Sequence, residues 1–247
     1  MGLALAEVLG ARADAAVVAG YDRADLAGQA VGALTLGGAE AALGDSDVVI
    51  DFSTPQASAE VARLAASASR PALVIGATGW TDAEDMAIWT AAKRVPIVKS
   101  GNYSLGINVL AGLVEQTAKR LRAEDWDIEI SEAHHHRKVD APSGTALMLG
   151  EAAARGREVG LAQVQIRARD GVTGPRPTGG IGFSVTRAGG IVGEHAVMFA
   201  SEDEMLTLSH SARDRRLFAR GAVAAALWVA GKPPGLYDMM DVLGFRP

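Results

Sequence analysis

The chain has 247 residues, 49% of them hydrophobic and 21% charged, with no cysteine and a formal net charge of −5. That length and apolar content support one large or two modest domains with a full core, and the negative balance leaves no global positive field for nucleic acid or anionic lipid. Without cysteine there is no disulfide, iron–sulfur cluster or thiolate nucleophile, which fits a cytoplasmic enzyme, and no apolar run reaches the roughly 18 residues of a membrane span.

The opening Met1-Gly-Leu-Ala-Leu-Ala-Glu-Val-Leu9 lacks a basic n-region and contains Glu7, so it reads as an amphipathic helix and not as a secretory signal. Short apolar strands are predicted at 15–19, 48–52, 73–75 and 97–98. Helices lie between them, one entered at Thr54-Pro55 and one at Thr81-Asp82. Continuous apolar strands alternating with helices predict a parallel α/β sheet covered on both faces. Its strands run into Asp51-Phe-Ser-Thr54, Gly76-Ala-Thr-Gly79 and Ser100-Gly-Asn-Tyr103, and ligands of such sheets bind beyond the carboxyl ends of the strands. A nucleotide-binding unit of this kind starts with a strand and a glycine-rich turn, whereas this chain starts on the helix. If Gly2 closes such a turn, Asp22 falls 20 residues later, where an acid contacts the ribose hydroxyls of a dinucleotide. The same spacing suits an ordinary surface carboxylate.

After about residue 125 the rhythm changes. Trp126-Asp-Ile-Glu-Ile-Ser-Glu132 and Met205-Leu-Thr-Leu-Ser-His210 alternate in the two-residue period of half-exposed strands. Further strands are predicted at 181–186 and 191–199, joined by a hairpin-like Arg187-Ala-Gly-Gly190 turn. This predicts a mixed or mostly antiparallel sheet in a second domain. From Leu217 to about Ala230 an apolar helix returns, and the chain is expected to rejoin the first domain. Neither an internal repeat nor a low-complexity linker interrupts it.

The densest chemistry lies in Glu132-Ala-His-His-His-Arg-Lys-Val-Asp-Ala-Pro-Ser-Gly-Thr-Ala-Leu147. Lysine is a proton source, histidine exchanges protons near neutral pH, and a helix N-terminus receives anions. Those are the parts needed to hold an acidic small molecule while a proton is delivered to it. A histidine cluster also suggests a metal or a solvated loop, but adjacent histidines on one strand or turn point in different directions, and no metal site is expected. Ser143 is the expected N-cap of the following helix, and Gly144 lets a ligand approach its backbone.

This segment resembles the signature of the dihydrodipicolinate reductase family, Glu-x-His-His-x-x-Lys-x-Asp-Ala-Pro-Ser-Gly-Thr-Ala, met without a gap from Glu132 to Ala146. Asp51-Phe-Ser53, Gly76 to Gly79, Ser100 to Asn108, Gly189-Gly-Ile-Val-Gly-Glu-His195 and Gly235-Leu-Tyr-Asp-Met239 also look like family blocks in family order. The resemblance implies a Rossmann-like dinucleotide-binding domain over 1–105 and 216–247. It further implies an α+β substrate-binding and oligomerisation domain over 106–215, and usually a homotetramer. The family's opening strand and glycine-rich turn are not in this sequence beyond Met1-Gly2, which is expected to leave a gap in the sheet with unpaired neighbours. A start assigned at an internal methionine or a trimmed chain would explain that; a tetrameric diacid-binding homologue that has lost its nucleotide site is the alternative.

The implied reaction is NADH- or NADPH-dependent reduction of 4-hydroxy-tetrahydrodipicolinate, a cyclic dicarboxylate, to tetrahydrodipicolinate in lysine and diaminopimelate biosynthesis. By resemblance, His134 is the acid/base and Lys138 the proton donor. His135, Gly144, Thr145 and an arginine, Arg215 in preference to Arg213 or Arg216, hold the substrate. Met1, Gly2, Asp22, Arg23, Gly76, Ala77, Thr78, Ser100, Gly101, Asn102 and Tyr103 are the implied cofactor contacts, with Ala77 standing where the family more often has threonine. Asp22 suits the ribose of NAD, and Arg23 the extra phosphate of NADP. His136 and Arg137 are expected to be solvated or to support the site from behind, and Glu194 and His195 to be structural.

Overall fold

A computed structural model describes residues 1–32 and 34–246. The chain divides into two compact units, Met1–Leu105 with Arg216–Pro247, and Gly106–Arg215. Among the described residues no helix is long and apolar enough to cross a membrane.

The first unit opens with α1 (Gly2–Gly10), β1 (Gly20–Tyr21), β2 (Ala30–Val31), β3 (Leu34–Gly37) and α2 (Ala39–Asp45). It continues through β4 (Val48–Asp51), α3 (Pro55–Ala68), β5 (Ala72–Ile75), α4 (Asp82–Ala91) and β6 (Pro96–Lys99). The two helix starts are made as their residues predict. The Thr54 hydroxyl caps α3 ahead of Pro55, and Thr81 forms a reciprocal capping box with Glu84 at α4, satisfying amides that a helix start leaves open. The chain returns to this unit as α8 (Arg216–Val229), β12 (Gly235–Tyr237) and α9 (Met239–Val242).

Strands β12, β6, β5 and β4 form a parallel sheet in that order. Both of its faces are covered, which explains the unbroken apolar runs. Leu73, Ile75 and Ile97 face α3 and α4, while Ala72, Val74 and Val98 face α8 and Leu5 of α1. Each large side chain removed from water in this way contributes about 1.5–3 kcal/mol. Strands β1, β3 and β2 make a separate small sheet, so β1 and β4 each lie at an edge, and the expected interruption is present. The strand predicted at 15–19 is not formed; pairing begins just after it, at Gly20–Tyr21. Residues 15–19 form no ladder, and Val18 is 55% exposed. Apolar composition makes a strand only where a neighbour accepts its backbone hydrogen bonds.

The second unit contains α5 (Leu105–Arg120), β7 (Asp127–His134), α6 (Gly144–Gly156), α7 (Leu161–Val164), β8 (Gln165–Ile166), β9 (Ile181–Arg187), β10 (Gly193–Ala200) and β11 (Met205–Ala212). Its mixed sheet runs β11-β10-β7-β9-β8. Strands β7 and β9 are parallel, whereas β10 is antiparallel to both β7 and β11. The expected hairpin at Arg187–Gly190 is therefore wrong. Strand β7 lies between β9 and β10, and the connection crosses over its carboxyl end. Three main-chain bonds fasten the crossing there: Ala188 N–H to His134 O at 2.9 Å, His135 N–H to Ile191 O at 2.8 Å and His136 N–H to Gly189 O at 3.3 Å.

Candidate active site

Strand β7 positions the site through its two-residue period. Ile128, Ile130 and Glu132 point to the covered face, and Glu132 is only 4% exposed. A carboxylate so placed needs partners, and it has four contacts from three residues. Arg187 donates to both oxygens at 2.7 and 2.8 Å, the Ser143 amide donates to Oε1 at 2.9 Å, and His134 Nδ1 lies 2.6 Å from Oε2. Burial raises the Glu132 pKa, but the bonds from Arg187, His134 and Ser143 outweigh it and hold the carboxyl below its usual range.

His134 ends the strand, its side chain 12% exposed. Its ring meets that of His195 edge-to-face, with centroids 5.1 Å apart. His195 comes from β10, in register with Glu132 on one side and His210 on the other. Burial first, and then the neighbouring His134, push the His195 pKa down to about 4, with His210 and Lys138 adding to the effect. This neutral imidazole places Nε2 at 3.2 Å from Ser143 Oγ, and Ser143 caps α6 by accepting from the Ala146 amide. His195 thus ties β10 to the start of α6, the structural role expected of it.

Beyond β7 the chain turns back through a bond from the Lys138 amide to His135 O, and Lys138 Nζ reaches Asp140 at 2.8 Å. That contact holds the Asp140 carboxyl below its ordinary range. His135, Arg137, Gly190, Val192, Arg213, Asp214 and Arg215 line an open cavity of about 550 Å³. Arg215 places a guanidinium nitrogen 3.5 Å from His135 Nε2. Partial burial and the charges of Arg137 and Arg215 lower the His135 pKa. Of the three competing arginines, Arg216 pairs with Glu7 at 3.0 Å, while Arg213 and Arg215 both line the cavity. Gly144 and Thr145 open α6 behind the Ser143 cap. A side chain at Gly144 would meet nothing within 4 Å, so packing does not demand glycine there. Arg137 is exposed and lines the cavity wall.

In the first unit, the turns after β4, β5 and β6 share the carboxyl edge of the parallel sheet. Thr78 and Gly101 are neighbours: a side chain on Gly101 would come within 3.7 Å of the Thr78 methyl. Gly79, at φ +85°, has open space around it, and no side chain caps the N-terminus of α1 at Met1 and Gly2. Asp22 and Arg23 follow β1 and are exposed, Asp22 Oδ1 accepting the Arg23 amide at 2.8 Å. An uncapped helix start, an exposed acid past the second strand position and open glycine turns fit a dinucleotide.

Five of the predicted contacts also have roles in the fold. The Tyr103 hydroxyl donates to Ile75 O at 2.8 Å and Val98 O at 3.0 Å, with the side chain 1% exposed. The Ala77 methyl joins the core, and the Ser100 and Asn102 side chains bond to their own turn. Gly76 is required because a side chain would strike the Phe52 ring at 2.3 Å. Conversely, Glu132 and Arg187 hold the centre of the histidine cluster, and sequence reasoning gave neither a role. Glu132 looked like one polar step of an alternating strand, and its partner lies 55 residues away.

The chain matches two family models over most of its length, "Dihydrodipicolinate reductase, N-terminus" at residues 1–103 and "Dihydrodipicolinate reductase, C-terminus" at 106–243. It is 61% identical over 246 residues to a 4-hydroxy-tetrahydrodipicolinate reductase of Caulobacter vibrioides, covering all of this chain and 94% of that protein. A reductase of the same name from Allorhizobium ampelinum is 54% identical over 226 residues, 91% of this chain and 83% of the relative. In fold, the chain is similar to a dipicolinate-bound dihydrodipicolinate reductase from Paenisporosarcina sp. TG-14, with a TM-score of 0.77 at 24% identity, covering 97% of this chain and 94% of the other. On its family models and close relatives, the chain belongs to the dihydrodipicolinate reductase family.

Proposed function

We propose that this protein is an oxidoreductase that reduces 4-hydroxy-tetrahydrodipicolinate to tetrahydrodipicolinate, in the pathway to diaminopimelate and lysine. The observation that carries the reading is the convergence at the end of β7. A carboxylate-bound imidazole, a lysine ammonium and a basic cavity meet beside a helix start. The substrate loses hydroxide as water, and the ring carbon it leaves takes a hydride. A reduced nicotinamide supplies that hydride when bound. Lys138, paired with Asp140, gives the proton that balances the addition or leaves with the hydroxide, and His134 exchanges protons next to it. Gly144 and Thr145 at the α6 N-terminus hold one carboxylate; His135 and Arg215 hold the other with a fork of donors.

In this reading the unit containing Met1–Leu105 and Arg216–Pro247 binds the cofactor, and Gly106–Arg215 binds substrate. Gly2, Asp22, Thr78, Gly79 and the main chain at 100–103 would hold the dinucleotide. Asp22 followed by Arg23 accommodates both NADH and NADPH, and calorimetric titration with each measures the preference. We read the assembly as a homotetramer working in the cytoplasm. Met205 and Leu206, 64% and 41% exposed on edge strand β11, support association, and light scattering tests it.

The kinetic test is Lys138→Ala. A proton donor acts in the transition state, so kcat should fall far more than KM rises. His134→Ala should lose roughly 10²–10⁴-fold. Unchanged turnover in folded Lys138→Ala would remove the lysine from the mechanism.

A further inference from the structure

We propose that Glu132, clamped by Arg187, is a positioning residue that fixes which nitrogen of His134 carries the proton and leaves Nε2 as the one that exchanges it. The proposal rests on the acid–base reading of His134 and goes beyond it. An ionised carboxylate only accepts hydrogen bonds. With His134 Nδ1 at 2.6 Å from Glu132 Oε2, the hydrogen of that contact belongs to Nδ1. Nothing else competes for this placement, because Arg187 and the Ser143 amide occupy the remaining lone pairs at 2.7–2.9 Å.

The guanidinium is what keeps Glu132 an acceptor. A carboxyl whose side chain is 1% exposed would favour its neutral form without a cation. It could then donate to Nδ1 and reverse the tautomer. Arg187 also donates to Asp140 O at 2.7 Å, and Asp140 holds Lys138. One guanidinium therefore supports both proton-handling side chains. On the far side of the ring, a Cβ at Gly193 would stand 3.2 Å from Nε2, so glycine there keeps that nitrogen uncrowded. The His195 ring, 75° to that of His134, sets its plane. The arrangement is a carboxylate–imidazole pair in which the acid orients and does not itself transfer the proton.

The test uses the whole protein with ¹⁵N-labelled histidine and long-range proton–nitrogen correlation on the alkaline side, where imidazoles are neutral. His134 should carry hydrogen on Nδ1 and none on Nε2. Finding it on Nε2 in the unmutated protein overturns the proposal whatever any variant does. In Glu132→Gln, the Ser143 amide and Arg187 Nη2 keep the amide oxygen at the Oε1 position, so the amide NH₂ takes the Oε2 position and faces Nδ1, at the loss of the second Arg187 bond. The tautomer should reverse, and kcat should fall about a hundredfold, the low end for lost acid–base catalysis, with KM nearly unchanged. An unaltered tautomer, or an altered one with full kcat, refutes the positioning role and leaves Glu132–Arg187 a structural ion pair. Full activity in His134→Ala would instead overturn the acid–base reading, and the catalytic half of the proposal with it, which the tautomer measurement tells apart.

Discussion

His195 shows how a single buried side chain ties stability to acidity. Its pKa falls from 6.5 to about 4 in the folded chain, so between those values the unfolded state binds the proton and the native state does not. The stability this group contributes is complete above pH 6.5 and is lost as pH falls toward 4, by about 3 kcal/mol at 1.36 kcal/mol per unit. Urea unfolding at pH 7 and pH 4 should show that extra loss in the native protein and not in His195→Gln. A matching difference in both would mean that His195 titrates normally. Ser143→Ala removes the α6 cap and should cost about 1 kcal/mol by thermal unfolding. The Ser143 cap was legible because a Ser-Gly-Thr turn before an alanine-rich run announces a helix start. The role of Glu132 was not, since its meaning depends on Arg187 arriving from another strand.

Helices and strands were legible where local chemistry decides them. Thr54-Pro55 and Thr81-Asp82 start helices as read, because caps act within one turn. The misreadings share a cause: pairing is not local. Residues 15–19 have strand composition without a ladder, and residues 187–190 have turn composition without a hairpin. Glycines separate element packing from function in the same way. A side chain at Gly156 of α6 would stand 2.3 Å from Glu115 O and 2.8 Å from the Ala118 methyl, so the close approach of α6 to α5 depends on it. Gly156→Ala should cost about 1–3 kcal/mol as overpacking. Gly144→Ala, at the other end of the helix, meets open space and should leave the melting temperature within a degree or two. It should weaken binding of a carboxylate at the helix start, and equal affinity in Gly144→Ala would place that carboxylate elsewhere.

At the scale of the molecule, a basic cavity sits in a chain of net charge −5. Local attraction therefore works against the global field, and salt should reach it: the screening length falls from about 10 Å at 0.1 M to about 3 Å at 1 M. Inhibition by pyridine-2,6-dicarboxylate should be competitive with substrate and should weaken as potassium chloride rises. The mono-acid leaves one cationic anchor unpaired, a cost on the order of 1–3 kcal/mol, so it should bind at least about tenfold more weakly. Arg215→Ala should erase most of that gap and Arg213→Ala should not. Fold class was legible at this scale from strands alternating with helices and then from the change of strand rhythm, with the dinucleotide-binding domain implied by the family signature. The strand order was not, because nothing in residues 187–192 says that they pass over another strand. That crossing changes what the word loop means here. Although His135 and His136 lie outside any strand, their amides are bonded to Ile191 and Gly189 as if β7 continued. In deuterated water they should trade hydrogen on the slow schedule of the sheet, while the amides at 168–175, with no such roof, wash out at once.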